Sequence, residues 1–124
     1  MAVTLRKLLE SVEEERIQIL AGKNNLDRAV RWTHMVESIE ISTFLEGQEI
    51  AFTTGAALKS EEDFFEMVKC IINNQATAII VNIGPYIKEV PEKIIKYCEE
   101  RNFPLITVPW ETHMAHIMQI FCLK

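Results

Sequence analysis

Basic charge is what this chain is short of. Thirteen lysines and arginines face 18 acidic residues, a formal net charge of -5 over 124 residues. A domain that grips nucleic acid needs a clustered basic face to neutralise phosphates. Here the basic residues are scattered, as Arg6 and Lys7, Arg28 and Arg31, Lys93 and Lys96. The pattern argues against DNA or RNA binding by this chain itself. Cysteine is sparse too. Cys70, Cys98 and Cys122 stand far apart in helix-like contexts and match neither a disulfide framework nor a zinc spacing. They read as small core residues of a reduced, cytoplasmic protein. No apolar run reaches the roughly 18 residues of a membrane span. The start, Met1 to Leu5, passes at once into an amphipathic pattern without a signal-peptide stretch.

Catalytic and metal-binding patterns are missing as well. His113 and His116 have the i, i+3 spacing of paired ligands, but no third ligand and no His-Glu-x-x-His signature accompany them. No metal and no cofactor are expected. The cysteines sit in apolar helical contexts, which oppose thiolate formation. No nucleophile stands beside a recognisable base, so no residue is read as catalytic and the chain is not read as an enzyme.

What is present is an ordinary globular composition, 48% hydrophobic and 25% charged, at a length that suits one domain. Thr4 is placed to cap a first helix carrying Leu5, Leu8, Leu9 and Val12. Arg16 to Leu20 alternates as a short strand, and Ala21 to Asn25 is turn chemistry. Val30 to Val36 alternates again, with Val30, Trp32, His34 and Val36 on one face and Arg31 on the other. Trp32 is read there as core. Ser38 to Glu46 reads as a short helix or structured loop ending near Gly47. From residue 49 the order becomes strand, helix, strand, helix, strand, helix. Ser60, with Asp63 in the capping-box position, opens the best-marked helix, whose inner stripe is Phe64, Met67, Val68, Ile71 and Ile72. Pro91 suits the first turn of the next helix. That order favours parallel strands with right-handed crossovers. The fold class is α/β: a single domain over residues 1–124, with a mostly parallel or mixed sheet flanked by helices.

Three strands end in polar residues: Thr53-Thr54-Gly55, Asn82-Ile83-Gly84-Pro85 and Pro109-Trp110-Glu111-Thr112. If the strands are parallel neighbours, these ends converge at the edge where open α/β sheets hold ligands. Thr53, Thr54 and Gly55 can offer hydroxyls and N–H groups to a carboxylate, phosphate or base edge. Equally, they can form a tight turn whose threonines satisfy local backbone. No Gly-Lys-Ser/Thr signature follows, so the run is not a phosphate-binding P-loop. Trp110 and Glu111 can hold a flat nitrogenous ring by stacking plus an acceptor, or can cover the core edge and cap the last helix. Arg31 can pair with an anionic effector or with a surface carboxylate, the commoner arrangement. Glu37 can accept from a ligand or cap the following helix. Because Arg31 and His34 fall on opposite faces, they are not expected in one pocket.

The last helix, Ala115 to Leu123, is apolar nearly all round and meets no stop signal before Lys124. A solitary surface helix has a polar face. This one is therefore expected to be deeply buried, to continue in a longer protein, or to pack on a second copy through Ile117, Ile120, Phe121 and Leu123.

Several landmarks occur together in one order. They are Asp27 to Trp32, His34, Glu37, Leu45-Glu46-Gly47-Gln48-Glu49, Thr53-Thr54-Gly55, Pro104-Leu105 and Val108-Pro109-Trp110-Glu111. This set resembles the N-terminal domain of PucR-type (purine catabolism regulator) transcription factors, from about Leu5 to the last helix. Gln48 departs from the pattern, which often has a second glycine there. The resemblance implies an N-terminal regulatory, effector-sensing module of a bacterial regulator. DNA would then be bound through a C-terminal helix-turn-helix part that this chain lacks. A small-molecule metabolite, purine-related or otherwise, would be the partner. The alternative is a protein-interaction or dimerisation module without a small ligand. The layout is also similar to the small N-terminal domains of Mur ligases and of HPr kinase, by analogy of fold alone.

Overall fold

A computed structural model describes residues 3–124. The chain opens with β1 (Val3–Thr4) and α1 (Leu5–Glu10), and the Thr4 hydroxyl caps α1 by accepting from the Lys7 N–H at 3.2 Å. A 3-10 turn at Glu13–Glu15 leads to β2 (Gln18–Ala21), β3 (Ala29–Val30), β4 (Trp32–Met35) and α2 (Ile39–Ser42). Then follow β5 (Glu49–Thr53), α3 (Glu61–Asn73), β6 (Ala78–Ile83), α4 (Glu92–Glu100), β7 (Leu105–Pro109) and α5 (Met114–Cys122).

Five strands form one sheet in the order β2-β7-β6-β5-β4, while β1 and β3 make a separate antiparallel pair. β4 to β7 run parallel, and β2 joins β7 antiparallel. The sheet is therefore mixed, and the domain is α/β. Parallel neighbours need crossovers, and α2, α3 and α4 supply them on one face. There Phe64, Met67, Val68 and Ile71 of α3 and Ile94 of α4 bury Ala51, Ile79 and Leu105. On the other face, Leu5 and Leu8 of α1 and Ile117 and Phe121 of α5 bury Ile50, Phe52, Ile80 and Ile106. Covered on both sides, the central strand is apolar throughout, from Ala78 to Val81.

This order has a consequence for ligand binding. Open sheets form their crevice where strand order reverses. β4 to β7 lie side by side in chain order, so none of them is parted from its neighbour by such a reversal.

The run from Val30 to Val36 is not one strand. β3 pairs with β1, Arg31 donates its N–H to the Gln48 carbonyl at 2.8 Å, and pairing with β5 begins at Trp32. The interruption reverses the alternation: Val30 lies in the α1/α5 core and Val36 in the α3 core. Trp32, read as core from its spacing, is 68% exposed because β4 is an edge strand. β2 starts at Gln18 because Arg16 adopts left-handed backbone (φ 56). Ser38 caps α2, taking the Ile41 N–H at 3.2 Å. Ser60 caps α3, but Asp63 turns back to the Lys59 N–H, so the reciprocal box is not completed. Pro91 stands at the N-cap of α4, one position ahead of its first turn.

In α5, Met114, Ile117 and Phe121 turn inward, and Phe121 packs against Phe52 with ring centroids 6.2 Å apart. Ile120 is half-buried and Leu123 is exposed. No helix among the described residues is long and apolar enough to cross a membrane.

Candidate functional site

The register of β4 on β5 places Met35 opposite Phe52. Two residues further on, Glu37 comes level with Thr54. Its carboxylate there collects four donors. One oxygen accepts from the Thr53 hydroxyl at 2.7 Å, the Thr54 N–H at 3.0 Å and the Gly55 N–H at 3.1 Å; the other accepts the Thr54 hydroxyl. Thr53 is fully buried. Gly55 has φ +83, which favours glycine, and a Cβ there would also lie 2.4 Å from the Ile87 side chain and push it aside. The donors are backbone and hydroxyl groups, with no lysine or arginine among them. Chemically this is a carboxylate cradle, and charge-assisted hydrogen bonds hold its occupant. The occupant is the protein's own Glu37. Of the two readings of Glu37, helix cap and ligand acceptor, the cap belongs to Ser38.

The other two strand ends lie beside this one. Asn82, at the end of β6, is buried and donates to the Pro109 carbonyl at 2.9 Å, tying β6 to β7. Trp110 lies over Gly84, where a Cβ would sit 2.2 Å from the indole, and Tyr86 meets it edge-on with centroids 6.1 Å apart. The Tyr86 Cβ also closes on Gly55, so one loop spans from the Glu37 cradle to Trp110. Trp110 remains 41% exposed. Glu111 pairs with Arg16 at 3.6 Å on the surface. Neither residue caps α5, whose N-cap is His113 without a side-chain bond. Thus Thr53, Thr54, Gly55 and Glu37 meet directly. Trp110 joins them through Tyr86, and Glu111 points elsewhere.

Arg31 lies at the opposite end of the strands. It borders a cleft of about 320 Å³ floored by Leu8, Val30 and Phe121 with Thr33 beside it. No carboxylate stands within ion-pair reach of Arg31 among the described residues. Arg31 and Glu37 therefore do not serve one pocket. Among the described residues no group of three or more His, Cys, Asp or Glu is placed to hold a metal.

A second internal carboxylate site escaped the sequence reading. Glu49 is buried and accepts from the Glu46 N–H at 2.6 Å and the Gly47 N–H at 2.8 Å. It secures a corner whose backbone is left-handed at Gln48 (φ 67). That conformation explains the second glycine often found at position 48 in the resembling pattern. The available signal was a glutamate opening an otherwise apolar strand, two residues after a glycine.

Residues 7–124 match the purine catabolism regulatory protein-like family. The purine catabolism regulatory protein of Bacillus subtilis (strain 168) is 24% identical over 105 residues, which are 84% of this chain and 20% of that protein. The chain thus spans a fifth of the relative's length. Among solved structures, the CBS and DRTGG domains of the Clostridium perfringens pyrophosphatase regulatory region, complexed with the activator diadenosine tetraphosphate, have a similar fold. The TM-score is 0.58 at 14% identity, covering 94% of this chain and 45% of that one. With the family match running over nearly its whole length, the chain belongs to the purine catabolism regulatory protein-like family.

Proposed function

We propose that this chain is the effector-sensing module of a transcription regulator and acts without catalysis. Its effector is a small metabolite bearing a carboxylate or similar oxyanion, bound by Thr53, Thr54 and Gly55 in exchange for Glu37. One observation carries the reading: the donors that suit such a group converge on one point and already hold a carboxylate. Exchange replaces one anion by another, and Glu37, only half-buried, recovers hydration when it leaves. Glu37 stands between β4 and α2, so its release loosens that corner and converts binding into a change of shape. DNA recognition falls to a part of the regulator outside this chain.

A panel of purine bases, their ring-opened carboxylates and simple carboxylates tests the reading by thermal shift. At least one should raise the melting temperature in proportion to its occupancy. If none does, and none alters DNA binding by the complete regulator, sensing by this module is refuted.

A further inference from the structure

More than half of the large exposed hydrophobics fall on one stretch. Trp32 at 68%, Met35, Ile39 and Phe44 at 64% lie within residues 32–44, and they are four of the seven large exposed hydrophobics among the described residues. That stretch is β4, its corner and α2, along an edge of the sheet where β4 pairs only with β5. Trp32 and Met35, three apart on an unbroken strand, face opposite sides of the sheet. Apolar side chains thus flank this edge on both faces, and such exposure suits an interaction surface. The two sheet edges also differ. β2 carries a register shift between Ile19 and Ala21, a bulge that spoils further pairing. β4 keeps an unbroken register over all four residues and contains no proline. An open, regular edge flanked by exposed apolar side chains invites another strand.

We propose that this edge pairs with a second copy of the chain, β4 against β4, antiparallel about a two-fold axis. Charge selects this occupant. Arg31 stands exposed at the start of β4, and Glu40 stands exposed in the first turn of α2, beyond the strand's other end. Neither has an ion-pair partner among the described residues. Antiparallel pairing brings the Arg31 end of each copy to the α2 end of the other, twice over by symmetry. The unpaired strand groups then find partners, and Trp32 and Phe44 leave water. The helix α5 has less to offer, because Met114, Ile117 and Phe121 already face the sheet.

Light scattering and sedimentation of the 124-residue chain, from micromolar to near-millimolar concentration, test it with charge swaps. Arg31→Glu and Glu40→Arg should each weaken the dimer by about tenfold, since each turns two attractions into two repulsions. The double variant should recover most of that loss. Trp32→Ser, which removes the most exposed aromatic of this edge, should weaken it by about thirtyfold. Melting temperatures of the variants check that each is folded, and recovery in the double variant cannot arise from misfolding. A monomer at every concentration overturns the proposal. So does a dimer indifferent to both charge reversals, or one weakened instead by Ile120→Asp.

Discussion

Glu37 and Thr54 are joined twice, one carboxylate oxygen taking the threonine N–H at 3.0 Å and the other taking its hydroxyl. This pair of hydrogen bonds across the β4–β5 register makes the strand end a cradle for the Glu37 carboxylate. The same cradle accounts for a buried Thr53 and a left-handed Gly55 two residues apart, which a plain turn would not demand.

Removing the occupant should expose the receptor. Glu37→Ala is expected to lower stability by about 2–3 kcal/mol, the cost of leaving several donors without their charged acceptor. Millimolar formate or acetate should then restore part of the lost melting temperature in the variant but not in the parent protein. Chloride at equal ionic strength should not. Equal responses of variant and parent to formate would show that the cradle takes no external carboxylate.

Two glycines should differ although both are crowded. At Gly22, with φ +72, a Cβ would lie 2.4 Å from the backbone of Phe103 and Pro104. Backbone cannot swing aside, so Gly22→Ala should cost about 3 kcal/mol or more from overlap and left-handed strain together. At Gly84 the obstacle is the half-exposed Trp110 side chain. Gly84→Ala should cost only about 1 kcal/mol and shift the Trp110 emission to the red as the indole moves into water. Urea unfolding and tryptophan fluorescence measure both.

Cys98 supplies a pH dependence. Burial pushes its thiol up to about 12 from the ordinary 9.0. The folded chain therefore keeps the proton that the unfolded chain releases, and the unfolded state gains as pH rises from about 9 to 12. Below that window the contribution is fully present; across it, stability falls. The fall should be shallower in Cys98→Ala, after subtraction of the constant loss from its smaller side chain. In the native protein at pH 8, alkylation should reach exposed Cys122 well before Cys98.

Local chemistry made part of this structure legible. Thr4 and Ser60 cap the helices they precede, and the unbroken apolar run of β6 announced a strand covered on both faces. The three polar strand ends were visible as well. What alternation could not convey was the interruption at Arg31, where the chain passes from pairing with β1 to pairing with β5. That single change sends Val30 and Val36 to opposite cores, while the edge position of β4 leaves Trp32 at the surface. The partner of the Thr53–Gly55 donors was equally hidden. Glu37 is remote in sequence and is brought there only by the register of β4, a tertiary fact.

The amide signals of Thr54 and Gly55 test the central claim most directly. Nitrogen-15 NMR of the chain, titrated with a metabolite that raises its melting temperature, should shift both signals saturably, together with those around Glu37. The changes should fit one dissociation constant. If that metabolite leaves Thr54 and Gly55 unmoved and shifts residues of the Arg31 cleft instead, the effector binds at the wrong end of the strands for this account.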